Sequence, residues 1–235
     1  MVRWESELIP TISSNKALLG DFDNVAFEIP SGYGIADVVF YSLDEDAIKN
    51  RLCDNRGPID ETNILKILLG LRTIASNDSV SITTLRQWMP NLKNDVLSYL
   101  IESGYLLQDK SGESEGYKPG VRYQNGLRQS VAIEAKLKDW KGGLFQAYRY
   151  RRYADKSYLA VYSKHINPPL KNLDQFKRYN VGLIEVTDDT LHVHFHPVKQ
   201  NEADEFMKAV AYENLLAVRM SVSPTIEEAP STVTI

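Results

Sequence analysis

The spacing of apolar positions changes along this chain, and each change marks a different element. "NVAFEIPSGYGIADVVFYSL" predicts two strands, Val25–Ile29 and Ile35–Tyr41, and the "PSGYG" between them supplies the residues of a tight hairpin turn. Ahead of it, residues 5–19 predict a short helix interrupted near Pro10. The pattern then turns helical: Ile64, Leu65, Leu68, Leu71 and Ile74 fall on one face, with Asp60 or Thr62 available as a cap. "SITTLRQWMPNLKNDVLSYLIESGYLLQDKSGESEGYKPGVRY" predicts a short helix, a turn at Met89-Pro90-Asn91 and a second helix over about residues 91–103 that ends at Gly104. A strand, a polar Gly-rich tip and another strand follow. Helix, short helix, turn, helix and two-stranded flap follow one another without a long linker.

In "VAIEAKLKDW" the β-branched Val131 and Ile133 alternate with their neighbours, so Glu134 and Lys136 share one face of a strand. Beyond it the pattern predicts a helix from about Gly143 to Ala154, a strand at Ser157–Tyr162 and a turn with a short helix. A hairpin around Thr187–Thr190 and a C-terminal helix complete the series. The tail from Ser221 is rich in Pro, Ser and Thr and is expected to be disordered.

At 235 residues with 43% hydrophobic and 25% charged side chains, the chain has globular composition and room for one large domain or two smaller ones. No apolar run approaches the roughly 18 residues of a membrane span, and "MVRWESELIP" lacks the apolar core of a secretory signal. Cys53 is the single cysteine, which rules out an intramolecular disulfide and fits a reducing, cytoplasmic setting. The expectation is a cytoplasmic protein without a membrane partner.

The net charge of −4 conceals a strong asymmetry. Residues 117–180 hold 14 Lys and Arg against 4 Asp and Glu, while both flanking segments are acidic. A basic middle in an acidic chain points to a polyanionic partner. "YRYRRYADKSY" interleaves aromatic and basic residues, which suits phosphate contacts and stacking. Arg149, Arg151, Arg152 and Lys156 are the contact candidates there, with Lys138 and Lys141 beside them. The His192, His194 and His196 of "HVHFH" share a strand face and read as a polar surface.

Asp37 stands among Ala36, Val38, Val39 and Phe40, and a carboxylate in such a strand must be paired, hydrated or metal-bound. Glu134 and Lys136 form either a surface ion pair or half of a site. Asp37 in "GIADVVF", Glu134 and Lys136 in "IEAKLKD", and Gln146 in "FQAYRYRRYAD", with Tyr150 one turn on, together resemble the PD-(D/E)XK nuclease superfamily. The resemblance covers residues 1–57 and 112–220 in outline. It implies an α/β restriction-endonuclease-like fold, a mixed central sheet flanked by helices, interrupted by a winged-helix-like insert at 58–111. The segment 221–235 is the flexible tail.

As the resemblance implies, Asp37, Glu134 and the carbonyl of Ala135 would hold Mg²⁺ (or Mn²⁺), with Glu28 a further ligand or an orienting group. Lys136 would position the attacking water and Gln146 would help hold it. The implied activity is Mg²⁺-dependent hydrolysis of DNA phosphodiesters, with a homodimer if both strands are cut and the insert docking DNA or a protein. The rival readings are a non-catalytic DNA-binding or regulatory protein on this fold, and an interaction module of a defence or repair complex. Two departures from the family pattern stand out: Ala36 occupies the Pro position, and 96 residues separate Asp37 from Glu134.

Overall fold

The computed structural model describes residues 4–30, 32, 34–110, 116–200 and 203–222. A 3-10 turn at Glu5–Leu8 leads into helix α1 (Ile9–Ser14). Pro10 sits in its first turn, where no N–H donor is required, so it starts a helix rather than interrupting one. Strands β1 (Asn24–Pro30) and β2 (Ile35–Leu43) form the expected antiparallel hairpin, with Phe27 opposite Val38. Ser31 and Tyr33 of its turn lie outside the described residues. Helix α2 (Glu45–Cys53) follows, capped by the Asp44 carboxylate, which accepts from the Ala47 N–H.

Helix α3 (Ile64–Leu71) buries Ile64, Leu65, Ile67, Leu68 and Leu71, but neither Asp60 nor Thr62 caps it. Asn63 occupies the N-cap position in helical conformation and makes no side-chain cap bond. Next come β3 (Val80–Ser81), α4 (Ile82–Trp88), α5 (Asn94–Glu102), β4 (Leu106–Asp109) and β5 (Gly116–Pro119). Gly104 closes α5 at φ 72°, left-handed backbone that favours glycine. The three strands form a small antiparallel sheet in the order β3-β5-β4. Because β5 pairs within it, this unit runs through Pro119, past the expected boundary at 111. The tip, residues 111–115, lies outside the described residues.

The chain then returns to the large sheet through β6 (Leu127–Lys136), α6 (Trp140–Tyr150) and β7 (Lys156–Tyr162). Helices α7 (Asn167–Lys171) and α8 (Leu173–Tyr179), strands β8 (Gly182–Val186) and β9 (Leu191–Phe195), and helix α9 (Glu205–Val222) complete it. Helix α6 begins before the expected Gly143 because Asp139 caps it, accepting from the Gly142 N–H at 3.1 Å. Ser221 and Val222 finish α9, and the rest of the predicted tail lies outside the described residues.

The central sheet has the order β1-β2-β6-β7-β8-β9, parallel at β6-β7-β8 and antiparallel elsewhere. The architecture is therefore mixed α/β, a mixed sheet flanked by helices. Val131, Ile133 and Ala135 pack on one face with Leu8, Ile12, Val38 and Phe40. On the other face Ala132 and Val39 meet Tyr150, Tyr153 and the α9 residues Tyr212 and Leu215. That same core takes in Leu65 and Leu68, so the small unit shares packing with α9. Among the described residues no helix is long and apolar enough to cross a membrane.

A buried polar knot ties α2 and α9 to the segments that enter and leave the small unit. The Glu213 carboxylate accepts from Arg51 Nη1 at 2.7 Å, Arg51 Nη2 at 2.8 Å, the Ile59 N–H at 2.8 Å and the Tyr123 hydroxyl at 2.8 Å. Burial pulls the Arg51 guanidinium down, but the Glu213 carboxylate outweighs it and holds it charged.

Candidate active site

Strand register decides which acids meet. Val38 lies opposite Ile133, so one step further along the same antiparallel ladder puts Asp37 opposite Glu134. Phe27 lies opposite Val38 and Ile29 opposite Ala36, so Glu28 falls opposite Asp37 on the other side. Directly opposed residues share a face, with Cβ atoms about 4.5–5.5 Å apart. Asp37 and Glu134 thus stand side by side across β2 and β6, and Glu28 extends the row on β1 by position only, without a ladder pair to Asp37. Glu28 adopts φ 53°, which breaks the alternation of β1 and leaves its side chain exposed.

Each member of the row has a different setting. Half-buried Asp37 accepts the Ala135 N–H on Oδ2 at 2.7 Å, and its Oδ1 has no hydrogen-bond partner among the described residues. Glu134 is 2% exposed; its Oε1 lies 2.6 Å from Lys136 Nζ, and its Oε2 accepts from the Tyr150 hydroxyl. That hydroxyl also lies 2.6 Å from the Ile35 carbonyl, so it has one proton for two acceptors. The N-terminal turn contributes Glu5, whose Oε2 is 3.4 Å from Lys136 Nζ and whose Oε1 accepts the Leu137 N–H at 3.3 Å. A cavity of about 330 Å³ opens here, lined by Glu5, Ile9, Pro10, Phe27, Glu28 and Asp37.

Burial raises Asp37 above the ordinary carboxylate range, opposed by the Ala135 N–H and Lys136 and reinforced by Glu5 and Glu28. Burial likewise raises Glu134, opposed by its bonds to Lys136 and Tyr150 and reinforced by the Asp37 charge. Lys136 is drawn down by burial, but Glu134, Glu5 and Asp37 outweigh that and hold it above its ordinary value. The site is a tight charge cluster in which Lys136 is a firm cation.

Helix α6 roofs the cluster. A Cβ on Gly143 would fall 2.7 Å from Lys136 Cγ and 2.5 Å from Leu159 Cδ1, so glycine makes the gap that the Lys136 stem occupies. Gln146 is half-buried on this helix, four residues before Tyr150.

The basic candidates separate. Lys138 and Lys141 are exposed where β6 ends and α6 begins, beside the cluster, and Arg149 is exposed further along the helix. Arg151 is a strut, donating to the Tyr179 carbonyl at 2.6 Å and to Gln200 Oε1 at 2.5 Å. Arg152 pairs with Asp204 at 3.1 Å. Lys156 lies level with Val131, on the face away from Glu134 and about 17 Å back along the strand from Lys136. The structure does not bring Arg151, Arg152 or Lys156 to the carboxylates. Of the histidines, His192 and His194 stay together with ring centroids 4.5 Å apart, His194 bonding Glu185 at 2.8 Å, while His196 lies 3.2 Å from the Tyr158 hydroxyl.

Among the described residues, no group of three or more His, Cys, Asp or Glu side chains is arranged to hold a metal ion. What Asp37 and Glu134 offer is an oxygen-only pair. That chemistry fits a hard cation which keeps several waters and takes one or two carboxylates. Glu5 escaped the sequence reading because nothing in "ESEL" marks it; its role depends on how the N-terminal turn meets the end of β6. Comparison with protein-family models, with curated proteins and with solved structures returns no match.

Proposed function

We propose that the chain is a metal-dependent nuclease that hydrolyses DNA phosphodiesters on a restriction-endonuclease-like core. The observation that carries this reading is the meeting of Asp37, Glu134 and Lys136 at one point of the sheet, across 96 intervening residues. The order of antiparallel β1, β2 and β6 followed by parallel β7 and β8 supports the fold. The order α3-β3-α4-α5-β4-β5 supports a winged-helix insert.

Asp37 and Glu134 would hold Mg²⁺, with Glu28 across the row as a further oxygen donor. A bound divalent ion supplies Lewis acidity and lowers the pKa of water. The remaining work belongs to the chain. Lys136, held protonated beside Glu134, places positive charge where the pentavalent phosphorus gains negative charge. Release of Lys136 from Glu134 frees a carboxylate oxygen and turns the ammonium toward the scissile phosphate. Gln146 orients the attacking water from the roof helix, while Lys138 and Lys141 receive flanking phosphates. The insert docks DNA or a protein, although its α5 carries Asp95 and Glu102 with Lys93 only at its N-cap. A homodimer would serve cutting of both strands.

One observation favours a second reading. Glu134 is already matched by Lys136 and Tyr150, as it would be in a non-catalytic DNA-binding or regulatory protein on the same fold. Incubation of the purified protein with plasmid and oligonucleotide DNA in Mg²⁺ or Mn²⁺ separates the two. The nuclease reading expects cleavage that Lys136→Ala abolishes. No cleavage under any of these conditions sinks it.

A further inference from the structure

The outer face of α6 is aromatic and basic. At 3.6 residues per turn, positions 141, 145, 148, 149 and 152 fall within about 100° of one another, opposite Gly143 and Tyr150, which face the carboxylates. Phe145 is 56% exposed and Tyr148 42% exposed, unusual for large rings on a helix with a fully covered inner face. Neither ring stands alone. Tyr179, at the end of α8, lies 5.8 Å from Phe145 and 5.3 Å from Tyr148 between ring centroids. The Arg151 guanidinium sits 5.4 Å over the Tyr148 ring and its bond to the Tyr179 carbonyl locks the two helices together. The rings are therefore presented on rigid elements.

The charge around these rings is mainly positive. Helix α6 has no acidic residue between Trp140 and Tyr150, and it exposes Lys141 and Arg149 beside the rings. Helix α8 exposes Lys177 and Arg178 immediately before Tyr179, Lys177 lying 3.9 Å from the exposed Asp174 one turn back. An open cleft of about 570 Å³ continues the surface past Tyr148 and Arg149, where Arg149, Arg151 and Arg152 outnumber the single acid, Asp204. A positive rim around aromatic faces matches the backbone and the bases of an unpaired strand at once, since every base has a face to stack. A duplex hides those faces.

We propose that Phe145, Tyr148 and Tyr179, with Lys141, Arg149 and Arg178, form a stacking platform for an unpaired DNA strand. This deepens the nuclease reading, because it assigns substrates with a single-stranded segment to the site beneath the same helix. Helix α6 is about 10–12 Å across with its side chains, so the platform and the carboxylate cluster lie on opposite sides of one helix, about that distance apart.

The test is fluorescence anisotropy in EDTA, which prevents cleavage, using labelled oligothymidylate, oligouridylate and a blunt duplex of the same length. The variant is F145L/Y148L, which keeps apolar contact with Tyr179 and removes both rings; its melting curve confirms folding. Wild type is expected to bind oligothymidylate more tightly than duplex, and the variant to lose at least about tenfold on oligothymidylate while duplex binding holds. Equal losses on both ligands, no loss at all, or tighter binding of oligouridylate than of oligothymidylate overturns the platform. Cleavage is measured separately in Mn²⁺. Cutting without preferential strand binding removes the platform alone, whereas strand binding without cutting leaves the platform and removes the nuclease reading.

Discussion

Replacing Glu213 by Gln removes one negative charge from the buried knot that joins α2, the segment leading to the small unit and α9. The carboxylate is 2% exposed and takes four hydrogen bonds, two of them from the Arg51 guanidinium. Glutamine has one acceptor oxygen and turns an NH₂ toward the remaining donors, leaving Arg51 charged, buried and unmatched. Breaking a buried ion pair from one side costs about 3–5 kcal/mol, a large share of the roughly 5–15 kcal/mol that holds a typical domain together. At about 2–4 °C per kcal/mol for a chain of this size, Tm falls by roughly 6–20 °C. Urea melts followed by tryptophan fluorescence and circular dichroism measure the loss directly. The double variant Arg51→Met/Glu213→Leu recovers much of it, because an apolar pair leaves no stranded charge. A loss below about 1 kcal/mol for Glu213→Gln would refute the assignment of this knot as the clasp that holds α2 and the connecting segments to α9.

Three further outcomes follow from the site. Gly143→Ala gains about 1 kcal/mol of helix propensity but pushes on Lys136 and Leu159. Its Tm changes little while cleavage falls about tenfold or more, as misplacement of a reacting group implies. Lys136→Met keeps the stem under α6 and removes the charge, so kcat falls at least about a hundredfold with little change in KM, read from cleavage rates on a saturating oligonucleotide series. Asp37→Asn acts on stability in the opposite sense. The folded carboxyl binds its proton more tightly than the unfolded one, so the wild-type charge weakens the fold above the raised pKa and ceases to do so as pH falls through the ordinary carboxylate range. Asn removes that charge and keeps an oxygen for the Ala135 N–H. In EDTA the variant therefore melts above wild type at neutral pH, the gap closes in acid, and equal melting at neutral pH contradicts the assignment.

Much of the sheet was legible because its strands carry strong apolar periods. The apolar run at Val38–Tyr41 and the alternation at Val131–Ile133 located both strands, and the latter put Glu134 and Lys136 on one face. Strand β3 is two residues long, too short for any period to show. The two strands of the flap were legible from the polar Gly-rich tip between them, and β5 pairs with β4 on its far side. Lys156 was grouped with Arg149 by the interleaved run of aromatic and basic residues. The run crosses from the end of α6 into β7, and register then carries Lys156 to the opposite face. Arg51 and Glu213 are 162 positions apart, and only tertiary packing makes them partners. Register, likewise, is what turns three scattered acids into a row.

That row is the centre of the account, and divalent-ion binding interrogates it most directly. Titration of the protein with Mn²⁺, followed by electron paramagnetic resonance of the free ion, should show saturable binding in wild type. Asp37→Asn and Glu134→Gln should each abolish it while leaving the fold intact by circular dichroism. Identical Mn²⁺ binding in wild type and both variants, or no binding in wild type with or without DNA, would contradict the claim that Asp37 and Glu134 form a catalytic metal site.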